Sequence, residues 1–151
     1  MAVSVSRAVD RLREPRFQAR VLLRAGFTLA PILFGLDKFF NFTVDWTRYL
    51  APWIDRVVPG TAQQLMYAVG VIEILAGVAV AVAPWFGGYL VAAWLGGIVV
   101  NLLTADPPRF YDIALRDVGL LLGALTLARL SARPAGSPEP ARVVEGDRAA
   151  A

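Results

Sequence analysis

Long apolar stretches separated by short polar connections make up the middle of this chain. A helix of about 20 apolar residues crosses the hydrocarbon core of a bilayer, where only helices and closed barrels satisfy their backbone groups. None of the stretches shows the alternation typical of a barrel strand. The pattern predicts an all-α membrane protein, an antiparallel four-helix transmembrane bundle over residues 21–130. We expect its spans at about 21–40, 62–82, 85–103 and 113–130.

The segments that flank this region are polar and rich in arginine. We expect residues 1–20 to form a cytoplasmic N-terminal segment. Residues 131–151 combine Pro, Gly, Ser and charged groups with few large apolar side chains, a composition typical of disorder. They predict a disordered cytoplasmic tail.

The first connection between predicted spans, 41–60, carries aromatic side chains at helix-like spacing, among them Trp46, Tyr49 and Trp53. Aromatic side chains favour the headgroup region of a membrane. We therefore predict a short interfacial helix in this outer loop. An ordinary surface loop is the alternative.

The basic residues are distributed unevenly along the chain. Nine of the fifteen lie before the first predicted span or at and beyond the end of the fourth. Arginine and lysine are enriched in the cytoplasmic loops of membrane proteins. We therefore expect both termini in the cytoplasm. The arginine-dominated composition suits a GC-rich bacterial genome, and we expect the protein in the plasma membrane of a bacterial cell. The net charge of +3 follows from this topology and does not indicate nucleic-acid binding.

The chain contains neither cysteine nor histidine. Disulfides, zinc sites, iron–sulfur clusters and haem held by His or Cys are thereby excluded. We expect no intrinsic cofactor. A redox role would need a partner protein or a bound organic molecule, for which a quinone is the candidate.

Glu73 is the only charged residue in the eighteen-residue stretch Leu65–Val82. A carboxylate at mid-bilayer depth costs at least a few kcal/mol unless it finds a partner or a proton. Gly70 and Gly77 share its helix face, and small residues let a second helix approach closely. We expect Glu73 to point into the bundle, where it is either paired or protonated.

The first predicted span carries Arg24 and Lys38 on one face, together with small residues. From the depths of the two spans, Arg24 is within reach of Glu73, so we predict a buried Arg24–Glu73 pair. The alternative is that Arg24 and Lys38 extend to the two membrane surfaces, as long basic side chains readily do.

A second polar cluster is expected in the outer half of the bundle. It comprises Lys38, Asn101, Arg116 and Asp117. If the fourth span faces the first, Lys38 meets Asp117, and the group forms an outward-facing polar pocket under the aromatic loop. The alternative is a set of interfacial salt bridges that fix helix depth. Gly119 and Gly123 form a GxxxG pattern, which allows packing within the bundle or between protomers.

These residues resemble the DoxX-like family of small four-helix membrane proteins. The resemblance rests on Arg24 followed by Gly35-Leu36-Asp37-Lys38-Phe39, on Ile72-Glu73 followed by Gly77, and on the order of the spans. It implies a four-helix bundle with cytoplasmic termini, in a family linked to thiosulfate:quinone oxidoreductase and to oxidative-stress complexes. Arg24, Lys38 and Glu73 match its motif residues, whereas Arg116–Asp117 fits less closely.

Three functions are compatible with this pattern. The first is a non-catalytic subunit or accessory factor of a membrane redox complex, which needs membrane protein partners or a homo-oligomer besides the lipid bilayer. The second is a quinone-binding oxidoreductase subunit that uses Arg24, Glu73 and the outer cluster. The third is a small transporter with the buried charges along its path.

Overall fold

The computed structural model of the chain describes residues 13–132. The disordered tail predicted at 131–151 lies almost wholly outside these residues, as does most of the predicted N-terminal segment 1–20. All regular secondary structure within 13–132 is helical. The prediction of an all-α protein is therefore confirmed for the described part of the chain.

Four long helices dominate the described region. They are α1 (Pro15–Phe40), α3 (Ala62–Val82), α4 (Pro84–Ala105) and α5 (Tyr111–Ser131). The loop between α1 and α3 contains a 3-10 turn at Trp46–Tyr49 and the short helix α2 (Pro52–Val57). A short helix was predicted in this loop, and its place at a membrane surface stays a prediction.

Three of the long helices, α1, α3 and α4, are long and apolar enough to cross a membrane. Helix α5 has a similar length, 21 residues, but is not in this set. Its apolar sequence is interrupted by Arg116, Asp117 and Arg129. Membrane character is thus shown by three helices, and the fourth span stays a prediction.

The helix ends follow local sequence signals. Thr61 and Gln64 form a capping box at the start of α3, each side chain accepting from the other residue's backbone N–H. Ala83 is the single residue between the end of α3 at Val82 and the start of α4 at Pro84, so the two helices form a tight hairpin. The C-cap of α1 is Asn41, in a left-handed conformation that Asn tolerates well.

Helices α1 and α3 are antiparallel and approach closely at glycines. A Cβ atom added at Gly35 would lie 2.6 Å from the backbone oxygen of Gly70. A Cβ atom added at Gly70 would likewise lie 2.6 Å from the backbone oxygen of Gly35. Farther along, a Cβ at Gly77 would lie 2.8 Å from the backbone oxygen of Thr28. Neither helix has room for a side chain at these positions, so the glycines fix the register of the pair.

The second pair of helices, α4 and α5, packs in the same manner. A Cβ at Gly88 would lie 2.8 Å from the backbone oxygen of Ala124. Fully buried Val80 and Leu127 belong to the apolar core that joins α3, α4 and α5. A second core cluster under the loop contains Ala51, Leu102, Ala105, Phe110 and Ala114.

The bundle has two chemically different ends. We call the end that carries the segment 41–61 the loop end, and the end with the N-terminus of α1 and the C-terminus of α5 the terminal end. The sides of the bundle between them expose large apolar residues, among them Leu22, Leu29, Leu33, Leu115 and Leu122. Such a surface suits hydrocarbon and not water.

Candidate functional site

A buried ion pair joins α1 to α3 near the loop end. The Nζ atom of Lys38 lies 2.6 Å from Oε2 of Glu73, and the two residues are 4% and 7% exposed. Gly35, one turn before Lys38, leaves room for the Glu73 side chain, whose Cβ lies 3.2 Å from the position of an added Gly35 Cβ. The close helix contact therefore encloses the ion pair within the protein.

The indole ring of Trp46 covers the lysine. Nζ of Lys38 lies 3.8 Å from the ring centroid, a distance at which a cation is attracted to the π-face. The Trp46 indole N–H in turn donates to Oδ2 of Asp37 at 2.7 Å. Lys38 thus contacts a carboxylate on one side and an aromatic face on the other, and the loop residue Trp46 closes the site.

Asp37 also shapes the chain where α1 ends. Its carboxylate accepts from the backbone N–H of Phe42 at 3.0 Å, from that of Thr43 at 3.2 Å and from the Thr43 hydroxyl. Close by, Asp45 accepts from the Thr47 hydroxyl and backbone N–H, and these bonds hold the pKa of the Asp45 carboxyl below its usual range. The start of the loop is therefore fixed by two aspartates.

The predicted Arg24–Glu73 pair is wrong. Arg24 donates instead to the backbone oxygen of Ala81, near the C-terminal end of α3. Ala81 lies eight residues from Glu73, about 12 Å along the helix, which exceeds the reach of the Arg24 side chain. The register set by Gly35 and Gly70 makes Lys38 the partner, since it lies one turn from Gly35 on the same face of α1.

Asn101 fixes the loop to α4. Its side-chain amide donates to the backbone oxygen of Tyr49 at 2.7 Å and accepts from the backbone N–H of Ala51 at 2.9 Å. One turn later, the Thr104 hydroxyl accepts from the Trp53 indole at 2.9 Å. Asn101 belongs to the loop end as predicted, but it binds loop backbone and not Lys38.

Asp117 is buried on α5, with 6% of its surface exposed. Its described ion-pair partner is the neighbouring Arg116, whose Nε lies 3.3 Å from Oδ1 of Asp117. The predicted meeting of Lys38 with Asp117 is not seen as an ion pair in the described residues, because Lys38 is bonded to Glu73. The Asp117 carboxyl nevertheless lies within electrostatic range of the Glu73 carboxyl.

Trp94 on α4 completes the cluster. Its indole nitrogen is buried close to the Glu73 carboxyl, and within residues 13–132 it has no partner at normal hydrogen-bond geometry. Lys38, Glu73, Trp94 and Asp117 come from four different helices. We call these four residues, with Trp46, the loop-end cluster.

The roles of Trp46, Asp37 and Trp94 were not predicted. Trp46 was expected only as an aromatic side chain of the headgroup region, Asp37 was noted only within the motif of the family resemblance, and Trp94 was not singled out. One sequence feature could have suggested the cation–π contact. An aromatic loop follows the adjacent residues Asp37 and Lys38 within ten positions. Nothing in the sequence around Trp94 distinguishes it from other apolar positions of α4.

The described residues contain no group of three carboxylate, His or Cys side chains placed to hold a metal ion. The chemistry available in the loop-end cluster is that of one ammonium group, two carboxylates and an indole N–H. Such groups can hold a proton, orient a carbonyl or stabilise a fold. Comparison with known protein families, with curated proteins and with solved structures finds no match for this chain.

Proposed function

We propose that this chain is a multi-pass protein of the bacterial cell membrane, with four spans and both termini in the cytoplasm. Helix α5 is the fourth span in this proposal. Its 21 residues extend about 31 Å, it packs along α4, and its pair Arg116–Asp117 lies in the first two turns, near the loop end. The apolar residues that follow can then lie within the hydrocarbon.

The charges of the described residues support this orientation. The terminal end carries five arginines and one glutamate, whereas the loop end, apart from the Lys38–Glu73 pair, carries four arginines and six aspartates. Segments rich in arginine and lysine next to membrane spans are retained on the cytoplasmic side of bacterial membranes. The terminal end is therefore the cytoplasmic end in our proposal.

Within the membrane, we infer that the chain is a non-catalytic subunit or accessory factor of a redox complex, in keeping with its resemblance to the DoxX-like family. The observation that carries this proposal is that Lys38 and Glu73 neutralise each other while Trp46 covers them. Asp37 and Asn101 likewise bond to the loop. Polar groups at the loop end thus stabilise the fold, as expected of a scaffold.

Affinity purification in mild detergent, with mass spectrometry of bound proteins and lipids, tests the accessory role. We expect an oxidoreductase partner in stoichiometric amount. The double variant Lys38→Met/Glu73→Gln removes both charges, so no uncompensated charge is buried at this site. This variant should therefore retain the partner. Recovery of the wild-type chain without any partner protein would contradict the proposal.

A quinone-binding subunit is the second candidate, and two observations favour it. The buried Trp94 indole N–H, close to the Glu73 carboxyl, has no partner at normal hydrogen-bond geometry in the described residues, and Asp117 is buried with its partner Arg116 largely exposed. An indole N–H can donate to a quinone carbonyl, and a carboxylate can exchange a proton with the reduced form. This candidate predicts a quinone that is retained after extraction and lost from Trp94→Phe.

A further inference from the structure

The terminal end of α1 carries a row of positive charge. Four exposed arginines follow each other at intervals of three, four and four residues: Arg13, Arg16, Arg20 and Arg24. Arg13 precedes the helix, whereas Arg16, Arg20 and Arg24 lie on α1, and at about 100° per residue their intervals place these three side chains within an arc of about 80°. Glu14 is the only acidic residue in the segment 13–36. The row therefore keeps a large excess of positive charge.

Part of this row extends beyond the helix against which α1 packs. Arg24 donates to the backbone oxygen of Ala81, and α3 ends one residue later at Val82. Arg20 lies one turn farther along α1 in the direction of its N-terminus, and Arg16 lies one turn beyond Arg20. Arg16 and Arg20 therefore lie beyond the end of α3, on the face of α1 that contacts α3.

The length of α1 gives the depth of these residues. Its 26 residues extend about 39 Å, whereas the hydrocarbon core is about 30 Å thick. About 20 residues counted back from Phe40 reach Val21, so the segment 15–20 lies in the headgroup layer. Trp85, half exposed at the start of α4, lies at the same end of the bundle, where a tryptophan favours the membrane interface.

We propose that Arg16 and Arg20 form a binding surface for the phosphate groups of anionic phospholipids. A guanidinium group matches a phosphate with two parallel hydrogen bonds. Exposed Phe17 and Val21 lie next to the row and line a shallow apolar groove, which suits the upper part of an acyl chain. The proposal rests on the membrane placement described under Proposed function.

Vesicles of equal parts phosphatidylcholine and phosphatidylglycerol provide the test. The full chain is reconstituted, re-extracted in mild detergent and examined by native mass spectrometry for retained lipid. Each arginine near an anionic membrane surface contributes about a fivefold gain in binding. We expect wild type to retain phosphatidylglycerol in excess, and the Arg16→Gln/Arg20→Gln variant to bind it about thirtyfold more weakly.

The matched control removes two arginines from the loop end, in Arg48→Gln/Arg56→Gln, and should retain the lipid as wild type does. High salt should also reduce retention by wild type, a measurement that needs no variant. Arg16→Lys/Arg20→Lys keeps the charge and should recover part of the binding, because lysine cannot form the paired hydrogen bonds.

Four results would overturn this proposal. Equal retention by wild type and Arg16→Gln/Arg20→Gln would exclude the row as the lipid site. Displacement of the lipid by inorganic phosphate at constant ionic strength would assign the row to a soluble anion. If the chain does not float with the vesicles, the membrane placement itself fails and this proposal with it, whereas insertion without enrichment refutes the lipid site alone.

Discussion

Lys38 and Glu73 are the residues on which the architecture of the loop end depends. Their charges are out of water and bonded to each other, and the Trp46 ring covers the ammonium group. The desolvation cost of a buried pair is large, so such a pair adds little stability over an apolar replacement. Loss of one partner is different, because it leaves an uncompensated buried charge.

We expect Glu73→Gln to lower the free energy of unfolding by about 3–5 kcal/mol, since it leaves the Lys38 ammonium group without a counter-charge. The Lys38→Met/Glu73→Gln variant should recover most of this loss. Denaturant unfolding in detergent measures both values. The exposed pair of Arg109 with Asp106 is the control, and Arg109→Gln should change stability little. Equal losses in single and double variants would contradict the pairing.

At the same scale, Asn101 connects α4 to the loop through two backbone groups. Asn101→Leu removes both hydrogen bonds and leaves the Tyr49 carbonyl and the Ala51 N–H without partners. We expect a loss of about 1–3 kcal/mol in stability and faster proteolysis within 41–60. Arg56→Leu, which changes an exposed side chain of the same loop, is the comparison. If the loop of Asn101→Leu is cleaved no faster than that of wild type, apolar contacts alone hold the loop against α4.

At the scale of helices, close approach at glycine decides the pairing of α1 with α3. Gly35→Ala would bring a methyl group to 2.6 Å from the Gly70 carbonyl oxygen, so the helices must separate. We expect a loss of about 1–3 kcal/mol. Gly119→Ala is the matched control, since nothing lies within 4 Å of its added Cβ, and helix propensity favours alanine there.

Thermal unfolding of both variants in detergent checks this prediction. A stabilised Gly35→Ala variant would show that the helices are not in the contact described. The open space at Gly119 also bears on the GxxxG pattern of α5. A Cβ added at Gly123 would lie 3.1 Å from the Phe27 ring, whereas within residues 13–132 nothing outside its own helix lies within 4 Å of a Cβ added at Gly119. In the described part of the chain, only Gly123 of the GxxxG pattern therefore packs within the bundle.

The sequence predicts the long helices well because apolar length is a strong signal. The stretch 62–82 agrees with α3, and 85–103 lies within α4. Helix α1 begins six residues before the predicted 21, because the polar residues before Val21 are also good helix formers. Periodicity reports which face of a helix is polar, and it identified the faces of Lys38 and Glu73 correctly.

Register between helices is not contained in that signal. The pairing of Arg24 with Glu73 was inferred from depths measured from the ends of the apolar stretches, and an error of one helical turn changes the partner. Contacts between Gly35 and Gly70 set the true register. The hydrogen bonds of Asp37 and Asn101 to the loop depend on tertiary structure and have no periodic pattern in the sequence.

At the scale of the whole molecule, the account depends on helix α5. Three helices have the length and apolar character to cross a membrane, whereas charged residues interrupt the apolar sequence of α5 at both of its ends. An odd number of spans would place residues 13 and 132 on opposite sides of the membrane. Four spans place them on the same side, and in our proposal this side, with the arginine-rich terminal end, is the cytoplasm.

The four-span architecture is tested most directly by labelling single introduced cysteines, since the natural sequence contains no cysteine. Asp55→Cys, Arg109→Cys and Ala132→Cys are made one at a time and treated with a membrane-impermeant maleimide in intact cells. We expect labelling at 55 and 109, and labelling at 132 only after the membrane is permeabilised. Labelling at both 109 and 132 in intact cells would show that α5 does not cross the membrane, and would contradict the four-span architecture.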